Sequence, residues 1–309
     1  PFLMGQNCWL GSDRLGPNDD MREILKHGSL TVGFIGLAET LVALIGKHHG
    51  ESEDAQELGL KIYSYPEYLY EQSKDKTRIV IGGSHEKTTI TSMILHVMKY
   101  AGIETDFMVG AQLEGFDVMV RLSESAKYMV IEGDEYLTSP IDRVPKFHKY
   151  HPHIAVISGI GWDHVNVFPT FDSYLEQFRI YVNTIEKGGC LIFDNNDIEA
   201  RKIAQDAAVP TCGYEIHPYV SEEENTYLIN NGKKIQVQVF GEHNMKNINA
   251  AYNVCKQIGV SDEIFYDAIS SFKGASRRLE LMCENKEKNV KLYRDYAHAP
   301  SKEVATVKA

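Results

Sequence analysis

Short apolar runs alternate with helix-length segments along most of the chain. Runs rich in β-branched residues stand at Arg78–Ile81, Tyr128–Ile131, Ile154–Ile157 and Cys190–Phe193. After the first run, apolar residues repeat at spacings of three and four, which predicts a helix with one buried face. The residues of that face are Ile90, Met93, Ile94, Val97 and Met98. Because strands that alternate with helices are typical of a parallel sheet wrapped by helices, the pattern predicts an α/β fold.

The pattern changes between residues 225 and 240. There Thr226–Ile229 and Lys234–Val239 flank Asn230-Asn231-Gly232. Asn-Gly between two alternating runs is a strong hairpin signal, so an antiparallel hairpin is predicted here. Two helices, near 247–257 and 261–271, and a strand near 289–295 are predicted to follow.

Composition and charge narrow the classes of function. The chain has 309 residues and a net charge of −11, which argues against a large nucleic-acid footprint. No apolar run approaches the roughly 18 residues of a membrane span, and no signal peptide is visible. The five cysteines are scattered without a C-x-x-C pair, which favours free thiols in a reducing cytoplasm.

The segment from Ile81 to Thr89 has the form of a phosphate-binding loop. A strand feeds Gly82-Gly83-Ser84-His85-Glu86-Lys87-Thr88-Thr89, and a helix follows. This arrangement aims backbone N–H groups and the positive end of the helix dipole at an anion. Lys87 would reach the terminal phosphates of a nucleotide, and the Thr88 hydroxyl would bind a magnesium ion. The alternative is an ordinary helix N-terminus rich in threonine.

Glu86 departs from the usual pattern of such loops, which have glycine at this position. It brings a Cβ and a carboxylate to a place where the backbone must approach phosphate closely. A carboxylate about 4 Å from a phosphate charge costs several kcal/mol at an intermediate effective dielectric. We therefore expect Glu86 to weaken nucleotide binding by about two orders of magnitude.

Ionisable residues follow two further strands. Glu132-Gly133-Asp134-Glu135 comes directly after Tyr128–Ile131, and Asp163-His164 comes shortly after Ile154–Ile157. Because the carboxyl ends of parallel strands are where such sheets bind ligands, these residues are expected to lie beside the phosphate loop. Carboxylates there suit magnesium, which prefers oxygen ligands. An exposed acidic turn and a polar loop are the alternatives.

Three later segments carry weaker signals. Asn244 and Asn247 offer the donors and acceptors that suit a base or a ribose, although asparagine is also common in helix capping. Arg277-Arg278 suits contacts with phosphates, or is a solvated basic pair. Asp295-Tyr296-Ala297-His298-Ala299-Pro300 ends the series.

The order of these segments resembles the Mur ligase family, the ATP-dependent amide-forming enzymes of peptidoglycan assembly. The family has a loop like G-T-H-G-K-T-T, then E-x-D-E, a D-H pair, G-x-H-N-x-x-N, F-x-G-x-x-R-R and D-Y-A-H-x-P. The corresponding segments here are Gly83–Thr89, Glu132–Glu135, Asp163-His164, Gly241–Asn247, Phe272–Arg278 and Asp295–Pro300.

The resemblance implies roles for individual residues. Lys87, Glu132 and His164 would be catalytic, with magnesium at Thr88 and Glu132 and a second ion at His164. ATP would lie against Gly83, Ser84, His85, Glu86, Lys87, Thr88 and Thr89, with Asn244 and Asn247 at the adenine, Arg278 at the phosphates and Asp295 at the ribose. ATP would phosphorylate a carboxylate, and an amine would attack the resulting acyl phosphate.

Within the family, Glu132–Tyr136 and Pro145–Pro152 look most like the recycling branch. That branch joins UDP-N-acetylmuramate to the murein tripeptide L-alanyl-γ-D-glutamyl-meso-diaminopimelate. The relative that adds only L-alanine is the alternative. Both imply a cytoplasmic enzyme that uses ATP and Mg²⁺, without nucleic-acid or membrane partners.

The resemblance also predicts the domain organisation. Residues 1–72 would be part of a Rossmann-like UDP-binding domain, in which Gly11-Ser12-Asp13 is similar to the family's strand-end G-S-D. Residues 73–272 would be the central ATP-binding domain with a P-loop-containing parallel sheet. Residues 273–309 would begin a C-terminal α/β domain that is truncated at Ala309.

Two readings from other classes stay open. Glu86 and the truncation favour a relative that binds nucleotide without turnover, whereas the retained Lys87, Thr88, Glu132 and His164 favour an active ligase. A folate-type polyglutamate ligase shares the central domain. It would lack a UDP-binding domain, so Gly11-Ser12-Asp13 argues against it. Ser158 also stands where the family more often has asparagine.

Overall fold

A computed structural model describes residues 63–111, 113, 115–139, 142–223, 225–274, 280–285 and 290–294. Its centre is a seven-stranded sheet in the order β3-β2-β4-β1-β5-β6-β7, parallel except for β3. The strands are β1 Thr77–Gly82, β2 Thr105–Met108, β3 Val120–Arg121, β4 Tyr128–Glu132, β5 Ile154–Ile157, β6 Cys190–Asp194 and β7 Thr211–Tyr214. The four strands read from the apolar runs are therefore confirmed as neighbours in one parallel sheet.

Helices cover both faces of this sheet. They are α1 Tyr65–Glu71, α2 Lys87–Tyr100, α3 Phe171–Asn183, α4 Ile198–Gln205, α5 Glu242–Gln257 and α6 Asp262–Ser270, with a 3₁₀ turn at Lys146–Lys149. Alternate residues of β1 enter two separate cores. Ile79 and Ile81 pack in the core formed with α2, α5 and α6, whereas Val80 packs in the core formed with α3 and α4. This alternation follows from the two-residue period of a strand. The predicted α/β fold is confirmed.

The apolar stripe predicted for the first long helix lies in the core. Ile90, Met93, Ile94, Val97 and Met98 of α2 are all buried. Because α2 follows β1 directly, burial of this face fixes the N-terminus of the helix at the carboxyl edge of the sheet. That edge is where the site is built.

Smaller antiparallel sheets accompany the main one. The first has three strands, which are β8 Tyr219–Glu222, β9 Asn225–Asn230 and β10 Lys233–Val237. The second pairs β11 Glu280–Asn285 with β12 Val290–Arg294. The predicted hairpin is confirmed, since Asn231 and Gly232 both have positive φ, 49° and 77°, as a two-residue primed turn requires.

Some predicted boundaries were wrong. The helix expected from residue 247 begins five residues earlier, at Glu242, and the second hairpin strand ends at Val237 instead of Val239. Strands β2 and β7 were not predicted. Each has four residues, and they hold Asp106 and Gly213, residue types that are depleted in strands. Pairing and burial within the sheet stabilise them instead of local sequence preference.

Several sequence interpretations lie outside the described residues. They concern Gly11-Ser12-Asp13, Arg278 and Asp295. Among the described residues, no helix has the length and apolar character needed to cross a membrane. The described cysteines, Cys190, Cys212, Cys255 and Cys283, are free thiols.

Candidate active site

The turn between β1 and α2 forms the floor of a cleft. Gly83 has φ of 132°, and a Cβ there would lie 2.2 Å from the Ser158 hydroxyl oxygen, so glycine is required. Ser158 donates hydrogen bonds to the carbonyl groups of Gly82 and His85, and the Ser84 amide donates to Gly159. The loop is therefore held against the end of β5, with its helix N-terminus open to the cleft.

Glu86 is the N-cap residue of α2 and has a left-handed backbone, with φ of 64°. Its side chain makes no capping hydrogen bond to the helix. Instead, Glu86 Oε2 accepts a hydrogen bond of 2.7 Å from Asn247 Nδ2 on α5. The structure thus brings together two residues that are 161 positions apart and that we predicted at opposite ends of the nucleotide.

Lys87 is held by an acidic partner. Its Nζ donates to the Gly83 carbonyl and to Glu135 Oε2, at 2.6 Å in each case. Glu135 is 1% exposed. Burial acts to raise the pKa of Glu135, but the Lys87 ammonium and the hydrogen bond from His164 outweigh it and lower that pKa to about 2. Glu135 is therefore a buried anion that neutralises Lys87.

Thr88 and Glu132 lie side by side, as predicted for a magnesium site. Thr88 Oγ1 donates to Glu132 Oε1 at 3.0 Å, and Glu132 Oε2 accepts from the Gly110 amide at 2.9 Å. The second contact fixes the Glu132 carboxylate in orientation. Thr89 is buried in the first turn of α2.

His164 meets the acidic stretch from the other side. Its Nε2 lies 3.5 Å from Glu135 Oε1, and its ring packs edge-on against Tyr136, with ring centres 4.9 Å apart. The hydrogen bond to Glu135 raises the pKa of His164 above its ordinary value. Ligand atoms of Asp134, Glu135 and His164 all lie within 4.8 Å of one another. These three residues could hold a metal ion, and they are called the cation group from here on.

Other residues of the site were not assigned individual roles from the sequence. Asp134 and Glu135 stood in the acidic stretch that was predicted to suit magnesium, where only Glu132 was assigned a role. Lys146, which contacts Asp134 Oδ2 at 2.5 Å, stood in a segment used only for resemblance. Tyr174 of α3 gave no signal, yet its hydroxyl shares a hydrogen bond of 2.7 Å with Ser84 and donates to Glu135 at 3.3 Å.

The cleft has a volume of about 340 Å³. Its lining includes five carboxylates, from Glu86, Glu132, Asp134, Glu135 and Asp163, and two lysines, Lys87 and Lys146. An anionic ligand would meet a negative surface unless cations entered with it. Positive ions that entered with a phosphate would therefore make its binding more favourable.

Among the remaining predicted residues, Asn244 and Asn247 are not part of this lining. Asn244 is in the first turn of α5, where its Nδ2 donates to the Phe240 carbonyl at 2.8 Å. The N-cap of α5 is Gly241, so neither Asn244 nor Asn247 is the capping residue. Gly83, Ser84, His85 and Glu86 form the loop, whereas Arg278 and Asp295 are outside the described residues.

Comparison with known proteins gives two matches to family models. The Mur ligase middle domain matches residues 81–255, more than half of the chain. The anaerobic ribonucleoside-triphosphate reductase matches residues 1–86. The second match competes with our assignment of residues 1–72 to a UDP-binding domain, and that assignment stays a prediction.

Individual relatives agree with the first match. The UDP-N-acetylmuramate–L-alanine ligase of Caldicellulosiruptor bescii is 32% identical, over 99% of this chain and 70% of the relative. The UDP-N-acetylmuramate–L-alanyl-γ-D-glutamyl-meso-2,6-diaminoheptandioate ligase of Haemophilus influenzae is 28% identical, over 82% of this chain and 58% of the relative. The crystal structure of the UDP-N-acetylmuramate:L-alanyl-γ-D-glutamyl-meso-diaminopimelate ligase from Neisseria meningitides aligns with a TM-score of 0.64 and 26% identity. The alignment covers 73% of this chain and 75% of the Neisseria chain. The chain thus spans only part of the length of these proteins.

Proposed function

Because the chain belongs to the Mur ligase family, we propose that it carries the catalytic middle of an ATP-dependent ligase that joins UDP-N-acetylmuramate to a peptide. The observation that carries the proposal is the assembly of Lys87, Thr88, Glu132, Glu135 and His164 in one cleft. These residues come from the ends of β1, β4 and β5, neighbours in the sheet. ATP and such a substrate are cytoplasmic metabolites, so the proposal includes that compartment.

The proposed reaction activates a carboxylate. Carboxylates are poor electrophiles, so the sugar acid would take the γ-phosphoryl group of ATP and become an acyl phosphate. The amine of the peptide would then attack its carbonyl carbon, and phosphate would leave. The N-terminus of α2 and Lys87 face the cleft from the loop, where both would offset charge on the transferred group.

Lys87 gains donors for this role if it changes partners. In the structure its ammonium donates to Gly83 and Glu135, so one of its three donors remains for a phosphate, and replacing Glu135 would free a second. Glu135 also accepts from Tyr174 and contacts His164, so it keeps hydrogen bonds after the exchange. The exchange is favourable only if another positive charge compensates Glu135.

The donor atoms of the cleft fit magnesium. Thr88 and Glu132 present oxygen atoms 3.0 Å apart, and the cation group adds two carboxylates and an imidazole. Thr88 and Glu132 would hold one ion, and the cation group, through His164, the second. Bound magnesium would supply charge neutralisation and orientation of the phosphates.

The tripeptide of the recycling branch is the amine substrate that we favour. The proposal rests on the similarity to the Haemophilus influenzae relative and to the Neisseria meningitides structure, whose names describe ligases for L-alanyl-γ-D-glutamyl-meso-diaminopimelate. L-Alanine is the second candidate, since the Caldicellulosiruptor bescii relative is the more similar in identity.

Phosphate release provides the test. The chain would be incubated with magnesium–ATP and UDP-N-acetylmuramate, with either the tripeptide or L-alanine as the amine. Release that depends on the tripeptide supports the proposal, and release that depends on L-alanine supports the second candidate. Magnesium–ATP binding without release by either the chain or Glu86→Gly would favour a nucleotide-binding relative without turnover.

A further inference from the structure

Lys146 is the second lysine among the described residues that line the cleft, and it lies outside the phosphate loop. It is the first residue of the 3₁₀ turn Lys146–Lys149. Its ammonium contacts Asp134 Oδ2 at 2.5 Å and lies 5.7 Å from the centre of the Tyr136 ring. About a quarter of the side chain is exposed, so the ammonium remains accessible from the cleft.

The backbone around Lys146 is fixed. The Lys146 amide donates to the Tyr136 carbonyl at 3.0 Å, and the Phe147 amide donates to the backbone carbonyl of Asp134 at 3.1 Å. Phe147 is fully buried and stacks on Tyr181, with ring centres 4.5 Å apart. A lysine is flexible, but here its stem begins from a rigid point and its head is held by Asp134. The ammonium is therefore positioned in advance of any ligand.

We propose that Lys146 binds the carboxylate of the sugar acid, an inference that rests on the proposed function. A second anion that enters a cleft with five carboxylates needs a cation other than the one at the phosphate loop. An ammonium has three donors, and Asp134 accounts for one direction, so donors remain for a ligand.

The cation group supports this assignment. Asp134 is a member of that group and also the partner of Lys146, just as Glu135 is a member and the partner of Lys87. A cation bound there would share the charge of both carboxylates. Both ammonium groups would then be available for anions, Lys87 for phosphate and Lys146 for the carboxylate.

Lys149 provides a matched control on the same turn. It pairs with Glu67 at 3.0 Å and with Asp142 at 2.9 Å, and it is not part of the described cleft lining. Replacing Lys149 removes the same charge from the same element without touching the cleft.

The test measures binding of N-acetylmuramate and of N-acetylglucosamine, which lacks the lactyl carboxylate. The 309-residue chain, Lys146→Met and Lys149→Met would be titrated by NMR with magnesium present. These small sugars lack the UDP group, so their binding does not depend on the UDP-binding domain predicted for residues 1–72. We expect the unmodified chain to prefer N-acetylmuramate, and Lys146→Met to bind it about tenfold more weakly, the effect of one lost hydrogen bond to a charged group.

Binding of N-acetylglucosamine should be the same in all three proteins, and Lys149→Met should keep the preference. Equal binding of N-acetylmuramate by Lys146→Met and the unmodified chain would overturn the inference, as would an unmodified chain with no preference between the sugars. Magnesium–ATP binding, measured separately, reports on the proposed function. A chain that binds the nucleotide but does not distinguish the sugars would leave that function standing and remove the role of Lys146.

Discussion

The Glu86 carboxylate accepts a hydrogen bond of 2.7 Å from the Asn247 amide, and this contact joins the phosphate loop to α5. It places a negative charge at the N-terminus of α2, where the backbone N–H groups favour an anion. An entering phosphate group would therefore meet the repulsion of Glu86, and Asn247, which we predicted at the adenine, is already engaged by that carboxylate. The loop that we propose for phosphate binding therefore carries a competing anion.

Replacing Glu86 should restore nucleotide affinity. We expect Glu86→Gly to bind magnesium–ATP about a hundredfold more tightly than the unmodified chain, because removing one charge near phosphate is worth several kcal/mol. Calorimetric titration measures this difference. Glu86→Gln separates the causes, since it removes the charge and keeps the side chain. Equal affinities in all three proteins would show that Glu86 does not oppose the nucleotide.

The backbone of Glu86 should also cost stability. With φ of 64°, a residue with a Cβ is strained by about 1 kcal/mol, whereas glycine adopts this conformation freely. Both Glu86→Gly and Glu86→Ala lose the contact with Asn247, so their comparison isolates the backbone. We expect a free energy of unfolding about 1 kcal/mol greater for Glu86→Gly in urea. A more stable alanine variant would contradict this account.

The ion pair of Lys87 and Glu135 should make stability depend on acidic pH. The folded-state pKa of Glu135, about 2, lies below its ordinary value of 4.5. Its stabilising contribution is therefore complete above the ordinary value and is lost as the pH falls toward 2. At neutral pH, Glu135→Gln should lower the free energy of unfolding by about 3 kcal/mol, because Lys87 remains buried without its counter-charge.

Urea unfolding at a series of pH values checks this dependence. The difference between the unmodified chain and Glu135→Gln should shrink as the pH falls below about 4. Glu104→Gln is the control, since Glu104 forms an exposed pair with Arg121 and its effect should be small throughout. A difference that stays constant down to acidic pH would refute the assignment of the low pKa.

The pKa of His164 provides an independent test of the charge on Glu135. Its pKa is raised by the hydrogen bond to Glu135, so Glu135→Gln should lower that pKa toward 6.5. Histidine NMR titration measures the shift directly. His217, whose pKa is lowered by burial, contacts Pro218 and Tyr266 and should titrate as before. An unchanged His164 pKa would mean that Glu135 does not control this imidazole.

Arg78 should be the strongest stabilising charge of the described core. Arg78 is a residue of β1, and its guanidinium is buried. It donates to the carbonyl groups of Ser73, Tyr150 and His151, and it pairs with Glu186 at 3.1 Å. Arg78→Met leaves these carbonyl groups without donors and should cost about 3–5 kcal/mol of unfolding free energy.

Arg121→Met is the matched control for this prediction. Arg121 is about half exposed, and its pair with Glu104 should contribute about 0.5 kcal/mol. Both variants would be unfolded in urea under the same conditions. A similar small loss for the two would show that the Arg78 network contributes little.

The sequence by itself determined the parallel sheet, the helix after β1 and the hairpin at Asn231-Gly232. These follow from local periodicity and turn chemistry, which need no knowledge of distant residues. The sequence also predicted that Lys87, Thr88, Glu132 and His164 lie together, as they do in the cleft, because strand ends converge at one edge of a parallel sheet.

Only the tertiary structure decided which partner each charged residue of the cleft has. Glu135 with Lys87, Asp134 with Lys146 and Glu86 with Asn247 are contacts between different strand ends, turns and helices, and residue type alone does not select among five carboxylates. Tyr174 enters the site from α3 without any sequence signal. These pairings depend on distances of a few ångströms set by the packing of the sheet and its helices, and the electrostatic energies of the cleft depend on those distances.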